Sequence, residues 1–372
     1  MTKNEILGLF SKSYGQARAK FMQAAALRAL PVTSFVLPLQ GVDGETLASD
    51  VVFDGPMDAA SLLIVISGVH GVEGYCGSAI QTGLLSLGLP EYVRANRSVA
   101  VLHVHAVNPY GFSHSRRVTQ ENVDLNRNFV NFSASLPINE GYASIHELLL
   151  PKTWPPGPEN EKKLAAFTNR AGERGLQRAM ATGQYAFGDG LFFGGTEPTW
   201  SNRTFRRILR KFAAGREHVA SIDIHTGLGP YGFGERIFAC PEDPVVLERA
   251  RSWWRNLTSV ETGTSTSIPL TGPIQSALSE ECPKALHTHI CLEYGTYPKP
   301  QVQTALRAEH WLDRFGSTDA SQVASIKQAL KDAFYPNADD WKLPVWQQGS
   351  EAYLQAIDGL NSMLIPIASE IA

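Results

Sequence analysis

The run Leu62-Leu63-Ile64-Val65-Ile66 is apolar without a break and stops at Ser67-Gly68. A strand with one face in water alternates polar and apolar residues, so an unbroken apolar run between turn residues suits a strand covered on both faces. In open α/β sheets, ligands collect at the carboxyl ends of such strands. Here that end carries His70 and Glu73, in Gly68-Val69-His70-Gly71-Val72-Glu73-Gly74. A second strand, Val219 to His225, closes on a histidine and runs into Thr226-Gly227-Leu228-Gly229. A catalytic zinc takes three protein ligands from His, Glu, Asp or Cys and leaves a position to water. His70, Glu73 and His225 supply such a set. Each alone is an ordinary turn residue, but both histidines follow an apolar strand into a glycine turn, and that joint placement points to metal.

Strand-like segments (Ala48 to Phe53, Leu62 to Ile66, Val99 to Val107, Val219 to His225, Ile237 to Ala239, Leu286 to Glu293) are interspersed with helical ones. The helical segments are Gly77 to Ser86, Glu159 to Ala181, Asn202 to Ala214, Val245 to Leu257, Val302 to Phe315 and Gln322 to Phe334. The pattern predicts an α/β fold with a mostly parallel sheet flanked by helices on both faces. No Ser/Gly linker or charge block divides the chain, so residues 1–372 read as one domain. Apolar residues at helical spacing predict an N-terminal helix over about residues 1–30. An insertion over about 132–200 carries a proline-rich stretch and then a glycine-rich one. The first thirty or so residues lack an uninterrupted apolar core, which argues against a signal peptide. No stretch approaches the roughly 18 apolar residues of a membrane span. Four sparsely placed cysteines and the lack of a leader give a cytoplasmic expectation, with no membrane partner. Cys76 reads as helix packing. A net charge of −3 without long basic runs excludes the electrostatic footprint of a nucleic-acid binder.

Two other readings compete for the same residues. Gly68, Gly71, Gly74 and Gly77 follow a strand into a helix, as phosphate loops do, but neither G-x-G-x-x-G nor G-K-[ST] occurs. His103 and His105, and likewise His287 and His289, share a strand face and resemble the histidine pairs of barrel metalloenzymes; the eight βα units of a barrel are missing, and core histidines are the expectation. By the same parity, His289 and Cys291 share the face of Glu293 and are expected on the pocket floor.

Downstream lie Asn108-Pro109-Tyr110-Gly111, Arg116-Arg117 and Val123-Asp124-Leu125-Asn126-Arg127-Asn128-Phe129. In order with His70-x-x-Glu73 and His225, they resemble the signature of the zinc carboxypeptidases related to carboxypeptidase A. The words HGVEGYCG, HAVNPYGF, GLFFGGTEPTWSN, DIHTGLGPYG and LEYGT resemble more closely a bacterial branch of that superfamily known as a domain of unknown function. This closer resemblance runs from Tyr14 to about residue 315. It implies a mixed, mostly parallel eight-stranded sheet, one zinc per chain, and hydrolysis of an amide bond next to a free carboxylate by a metal-activated water. Position by position, it implies His70, Glu73 and His225 as zinc ligands and Asp124 as the carboxylate that hydrogen-bonds the first histidine. Arg117 is implied to polarise the scissile carbonyl, Asn126 and Arg127 to grip the substrate carboxylate, and Glu293 to be the general base. The substrate implied is a small peptide. The carboxypeptidases also carry a mobile tyrosine roughly twenty residues before the catalytic glutamate, whereas Thr271-Gly272-Pro273-Ile274-Gln275-Ser276 has none; Tyr231, Tyr294 and Tyr297 are alternatives. That departure keeps open an N-acyl amino acid deacylase of the aspartoacylase or succinylglutamate desuccinylase type, with an N-acyl amino acid as substrate. A catalytically inactive metal-binding module is the third reading.

Overall fold

A computed structural model describes residues 1–363; residues 364–372 of the expected span lie outside the described residues. Seven strands form one sheet in the order β1-β2-β4-β3-β5-β7-β6. They are β1 (Val32–Gln40), β2 (Thr46–Asp54), β3 (Ser61–Ile66), β4 (Val99–His105), β5 (His218–Tyr231), β6 (Gly234–Phe238) and β7 (Leu286–Gly295). The central strands β4, β3, β5 and β7 run parallel, while β1, β2 and β6 pair antiparallel.

The apolar run in β3 has the cause its sequence suggested. Leu63 and Val65 pack on one face with Ala220, Ile222, Ile80 and Trp346, while Leu62, Ile64 and Ile66 pack on the other with Val219, Phe205 and Leu209. Both faces are dry, so no position tolerates a polar residue except near the strand end.

The expected eighth strand is not formed among the described residues. Beyond the outer edge of β6 only a single bridge occurs, at Thr258, whose N–H donates to Arg236 O and whose carbonyl accepts from Phe238 N. The chain turns away at once, because the Ser259 hydroxyl and carbonyl bend residues 261–265 back on themselves. After β7 the chain is mainly helical, in Lys299–Phe315, Ala320–Phe334 and Asp339–Ser362, which leaves no further strand to pair. The strand without a forecast was β1, which is half exposed and contains Pro38, as an edge strand tolerates.

The N-terminal segment also departs from expectation, because it is two helices, Lys3–Leu9 and Tyr14–Leu27. Thr2 caps the first and Ser13 caps the second, its side chain accepting from Gln16 N. Within the expected insertion, the Pro158–Ala181 helix is broken at Gly172, and it packs with Glu140–Leu149 and the first two helices after β7 around Tyr142, Leu149, Met180, Leu306 and Leu330. No helix among the described residues is long and apolar enough to cross a membrane.

Candidate functional site

His70 sits four residues past β3, where Gly68 takes φ +67° and turns the chain back over the sheet end. Gly71 must be glycine, because a Cβ there would lie 2.0 Å from the Gly111 carbonyl carbon. The tight approach lets Gly71 N and Val72 N donate to the carbonyls of Arg117 and Arg116. A 3-10 turn, Gly71–Glu73, then swings Glu73 under His70. His225 arrives from β5, on the sheet face that also carries Asp223, and lies in register with Glu293 of β7.

These elements converge. His70 Nδ1 lies 2.9 Å from Glu73 Oε1, His225 Nδ1 lies 3.0 Å from Glu73 Oε2, and the two Nδ1 atoms are 3.2 Å apart. Among the described residues these three are the one group of His, Cys, Asp or Glu side chains with ligand atoms all within 4.8 Å. The outer nitrogens explain why the inner ones face each other. His70 Nε2 lies 3.0 Å from Asp124 Oδ1, and His225 Nε2 lies 2.8 Å from Asp223 Oδ2. A carboxylate takes the Nε2–H of each ring, which leaves both Nδ1 lone pairs aimed at one another and at a third carboxylate. Three electron-rich atoms buried together repel unless a cation lies between them, and carboxylate-backed histidines are the usual zinc arrangement. The residues therefore fit the metal on their own chemistry.

The charges around this cluster are arranged in the same sense. Burial works to raise the Glu73 carboxyl, but His70 and His225 hold it below the usual range. Where no metal cation is bound, a proton on the ring takes its place: burial opposes the protonated form of His225, yet Asp223 and Glu73 carry it well above the ordinary histidine value, so the cluster calls for positive charge. Asp124, fully buried, is held well below the usual carboxylate range by Arg117 and His70 despite desolvation. Glu293 goes the other way: burial and the Glu73 charge push it up to about 8. Its Oε1 accepts from Leu228 N at 3.0 Å.

Arg117 donates from Nε to Asp124 Oδ2 and from Nη1 to Glu73 Oε1, each at 3.0 Å, and its Nη2 has no partner among the described residues. Arg127 is held by main-chain carbonyls, Nη1 to Asn126 O at 2.8 Å and Nε and Nη2 to Ala181 O at 3.1 and 2.5 Å. Its nearest carboxylate oxygen is Asp124 Oδ1 at 3.9 Å, and burial lowers its pKa to about 10. The Asn126 side-chain oxygen accepts from Ile274 N, which leaves the amide NH2 to face the cavity. All eight residues singled out from the sequence are buried or nearly so, and seven of them line one cavity of about 460 Å³, with Asp124 behind them.

Several expectations are redrawn. His289 is fully buried and does not line the cavity, whereas Cys291 does. The expectation of core rather than metal-holding histidines stands for His103, His105 and His289, which are buried, His105 bonding Ser78 and stacking on Phe21, while His287 is half-buried with its Nδ1 2.9 Å from His289 Nε2. None of the three alternative tyrosines lines the cavity; Tyr294 is buried with its hydroxyl on Val345 O, and Tyr231 donates to Asp340 at 3.1 Å. Sequence reasoning gave no site role to Asp223, to Gln275, which donates to it at 3.0 Å, or to Phe192. The Asp223-x-His225 spacing on one strand was the available signal for the first, since alternate residues share a face.

Over residues 10–348 the chain matches the family described as "Protein of unknown function (DUF2817)". No curated protein matches the chain. Among solved structures it is similar to a metallo-carboxypeptidase from Burkholderia cenocepacia, at 12% identity over 87% of this chain and 69% of that one, with a TM-score of 0.44. It is also similar to bovine thrombin-activatable fibrinolysis inhibitor in complex with tick carboxypeptidase inhibitor, at 13% identity over 86% and 97%, with a TM-score of 0.43. A third is a succinylglutamate desuccinylase from Silicibacter sp. TM1040, at 14% identity over 82% and 65%, with a TM-score of 0.38.

Proposed function

The chain belongs to the DUF2817 family, and we propose that it is a zinc-dependent hydrolase that cleaves an amide bond next to a free carboxylate. The observation that carries this reading is the meeting of two Nδ1 atoms and a carboxylate, each imidazole backed by an aspartate on its other nitrogen. A zinc ion bound there supplies Lewis acidity and lowers the pKa of a coordinated water.

The chain's own groups divide the remaining work. Glu293 takes the proton of the attacking water and returns it to the leaving nitrogen, as a buried carboxyl raised toward neutrality is suited to do. Arg117 stays fixed by two carboxylates while its unbonded Nη2 donates to the scissile carbonyl oxygen. Arg127 and the Asn126 amide receive the substrate carboxylate. A buried guanidinium whose hydrogen bonds go to main-chain carbonyls, with its nearest carboxylate oxygen 3.9 Å away, keeps charge to offer an incoming anion, and its planar fork suits a carboxylate.

The test compares zinc-loaded protein on an N-acyl amino acid or short peptide with a free α-carboxylate and on its amidated analogue. The free acid should react at least about 10²-fold faster, given roughly 3 kcal/mol for an unpaired charged group. Arg127→Ala should erase most of that ratio with zinc retained. Equal rates on both substrates in the wild type would remove the carboxylate from the reading, and an unreactive zinc-loaded protein would make it a binding module. Acyl release against release of a C-terminal residue separates the deacylase from the carboxypeptidase.

A further inference from the structure

Phe192 connects the two arginines of the cavity. The Arg117 guanidinium carbon lies over its ring at 5.2 Å from the centroid, and that of Arg127 at 5.6 Å. The side chain is buried and lines the cavity. Its backbone is at φ +54°, a region that a bulky L-residue adopts only when its surroundings impose it. Strain of this kind gathers at functional sites, where a side chain must be aimed.

What imposes it is visible. Gln184, itself buried, bonds three sides of the segment: its N–H donates to Phe192 O at 3.2 Å, its side-chain amide donates to Leu191 O at 3.2 Å, and its carbonyl accepts from Gly194 N at 2.8 Å. The Phe193 carbonyl is taken by Asp124 N at 2.8 Å. The carbonyls of residues 191, 192 and 193 are thus all tied down, and the last is tied to the aspartate that backs His70. The ring and the metal-side carboxylate belong to one braced unit.

We propose that Phe192 is the positioning residue for carboxylate recognition: its ring face fixes Arg127 beside Arg117, so that two cations share one cavity and both offer N–H groups to the substrate. The inference rests on reading Arg127 as the carboxylate grip. Two guanidiniums converging on Asp124 repel each other, and a π face offers each of them a region of negative potential. The dependence is unequal. Arg117 donates to two carboxylates at 3.0 Å, whereas Arg127 donates to carbonyls and has its nearest carboxylate oxygen at 3.9 Å, so loss of the ring falls more on Arg127.

The experiment compares Phe192→Leu, Phe192→Tyr and Phe192→Gly as zinc-loaded proteins on the free-carboxylate and amidated substrates. Phe192→Leu should raise KM for the free acid about 10-fold, with kcat within about 3-fold and KM for the amide unmoved, as expected for loss of a desolvated cation–π contact. Phe192→Tyr should stay within about 3-fold of wild type, because the π face is kept. Phe192→Gly suits the positive φ and removes the ring, so it should fold and lose KM like the leucine variant. A wild-type KM in Phe192→Leu, or an equal loss in the leucine and tyrosine variants, overturns the proposal. A readout independent of turnover is solvent exchange of the Arg127 Nε–H followed by NMR, expected to be about 10-fold faster in Phe192→Leu. Unchanged exchange overturns the proposal also. Failure of the parent reading shows itself separately, as a wild-type protein with no preference between the two substrates.

Discussion

Asp223 is the residue whose replacement most directly tests the metal site, because it touches the proposed ligand set through one atom. Its Oδ2 accepts from His225 Nε2 at 2.8 Å and from Gln275 Nε2 at 3.0 Å, while its Oδ1 has no partner among the described residues. The side chain is fully buried, so water does not replace it in Asp223→Ala without entering the core. A charge-assisted hydrogen bond of this kind contributes about 1.5–3 kcal/mol, which at about 1.4 kcal/mol per decade is roughly 10–100-fold in zinc affinity. Asp223→Asn keeps an acceptor but removes the charge, so about 1 kcal/mol is lost and zinc binding weakens about 5-fold. Gln275→Ala removes the other bond to Oδ2 and leaves the imidazole paired, so its effect should stay within about 3-fold. Competition against a chromophoric chelator measures the affinities, and circular dichroism confirms that each variant is folded. The ordering Ala, then Asn, then the Gln275 variant is the expected result. A folded Asp223→Ala protein that binds zinc within about 2-fold of wild type would refute the idea that the aspartate orients His225 for metal.

The proposed metal ligands were legible because both histidines stand at strand ends, where an apolar run stops and glycines begin. Burial on two faces makes such a strand conspicuous, and the turn after it has few conformational solutions, as the close packing of Gly71 on Gly111 shows. Membership of a family of unknown function could be read from the same words, HGVEGYCG and DIHTGLGPYG. What escaped was whatever depends on pairing across the sheet or on a later segment. β1 was missed because edge strands lack the two-sided burial signal, and the expected eighth strand gave way to one bridge at Thr258. The Asp339–Ser362 helix was missed because Pro344 interrupts its pattern, a residue that removes an N–H donor and crowds the preceding turn of a helix. Phe192 was invisible for a different reason: GLFFGG reads as a loop, and only its three braced carbonyls reveal a conformation held for the sake of a ring. Histidine parity placed Cys291 at the cavity correctly and His289 wrongly, since the cavity lies over the carboxyl end of β7 and stops before His289.

Glu293→Gln keeps size and can still accept from Leu228 N, so it should retain zinc and lose at least about 10²-fold in turnover on the free-acid substrate. Loss of zinc from that variant would make Glu293 a ligand, and near-normal turnover would move the base elsewhere. The fold itself should weaken in acid through buried histidines outside the proposed ligand set. Burial pushes His103 down to about 3, and His105 and His310 down to about 4. Their folded values lie below the ordinary one of about 6.5, so their neutral rings contribute fully above pH 6.5 and that contribution is lost as the pH falls through 6.5 towards 4. At pH 5 each ring has given up about 1.5 units, or roughly 2 kcal/mol, and three together approach the whole stability of a typical domain. Glu293, pushed up to about 8, works the other way over the same interval, so scanning calorimetry is done on metal-free Glu293→Gln protein, whose thermal midpoint should drop steeply between pH 7 and 5. A midpoint flat over that interval would mean that these rings are hydrated or already protonated in the folded chain, and the burial argument for both strand histidines and His310 would fall.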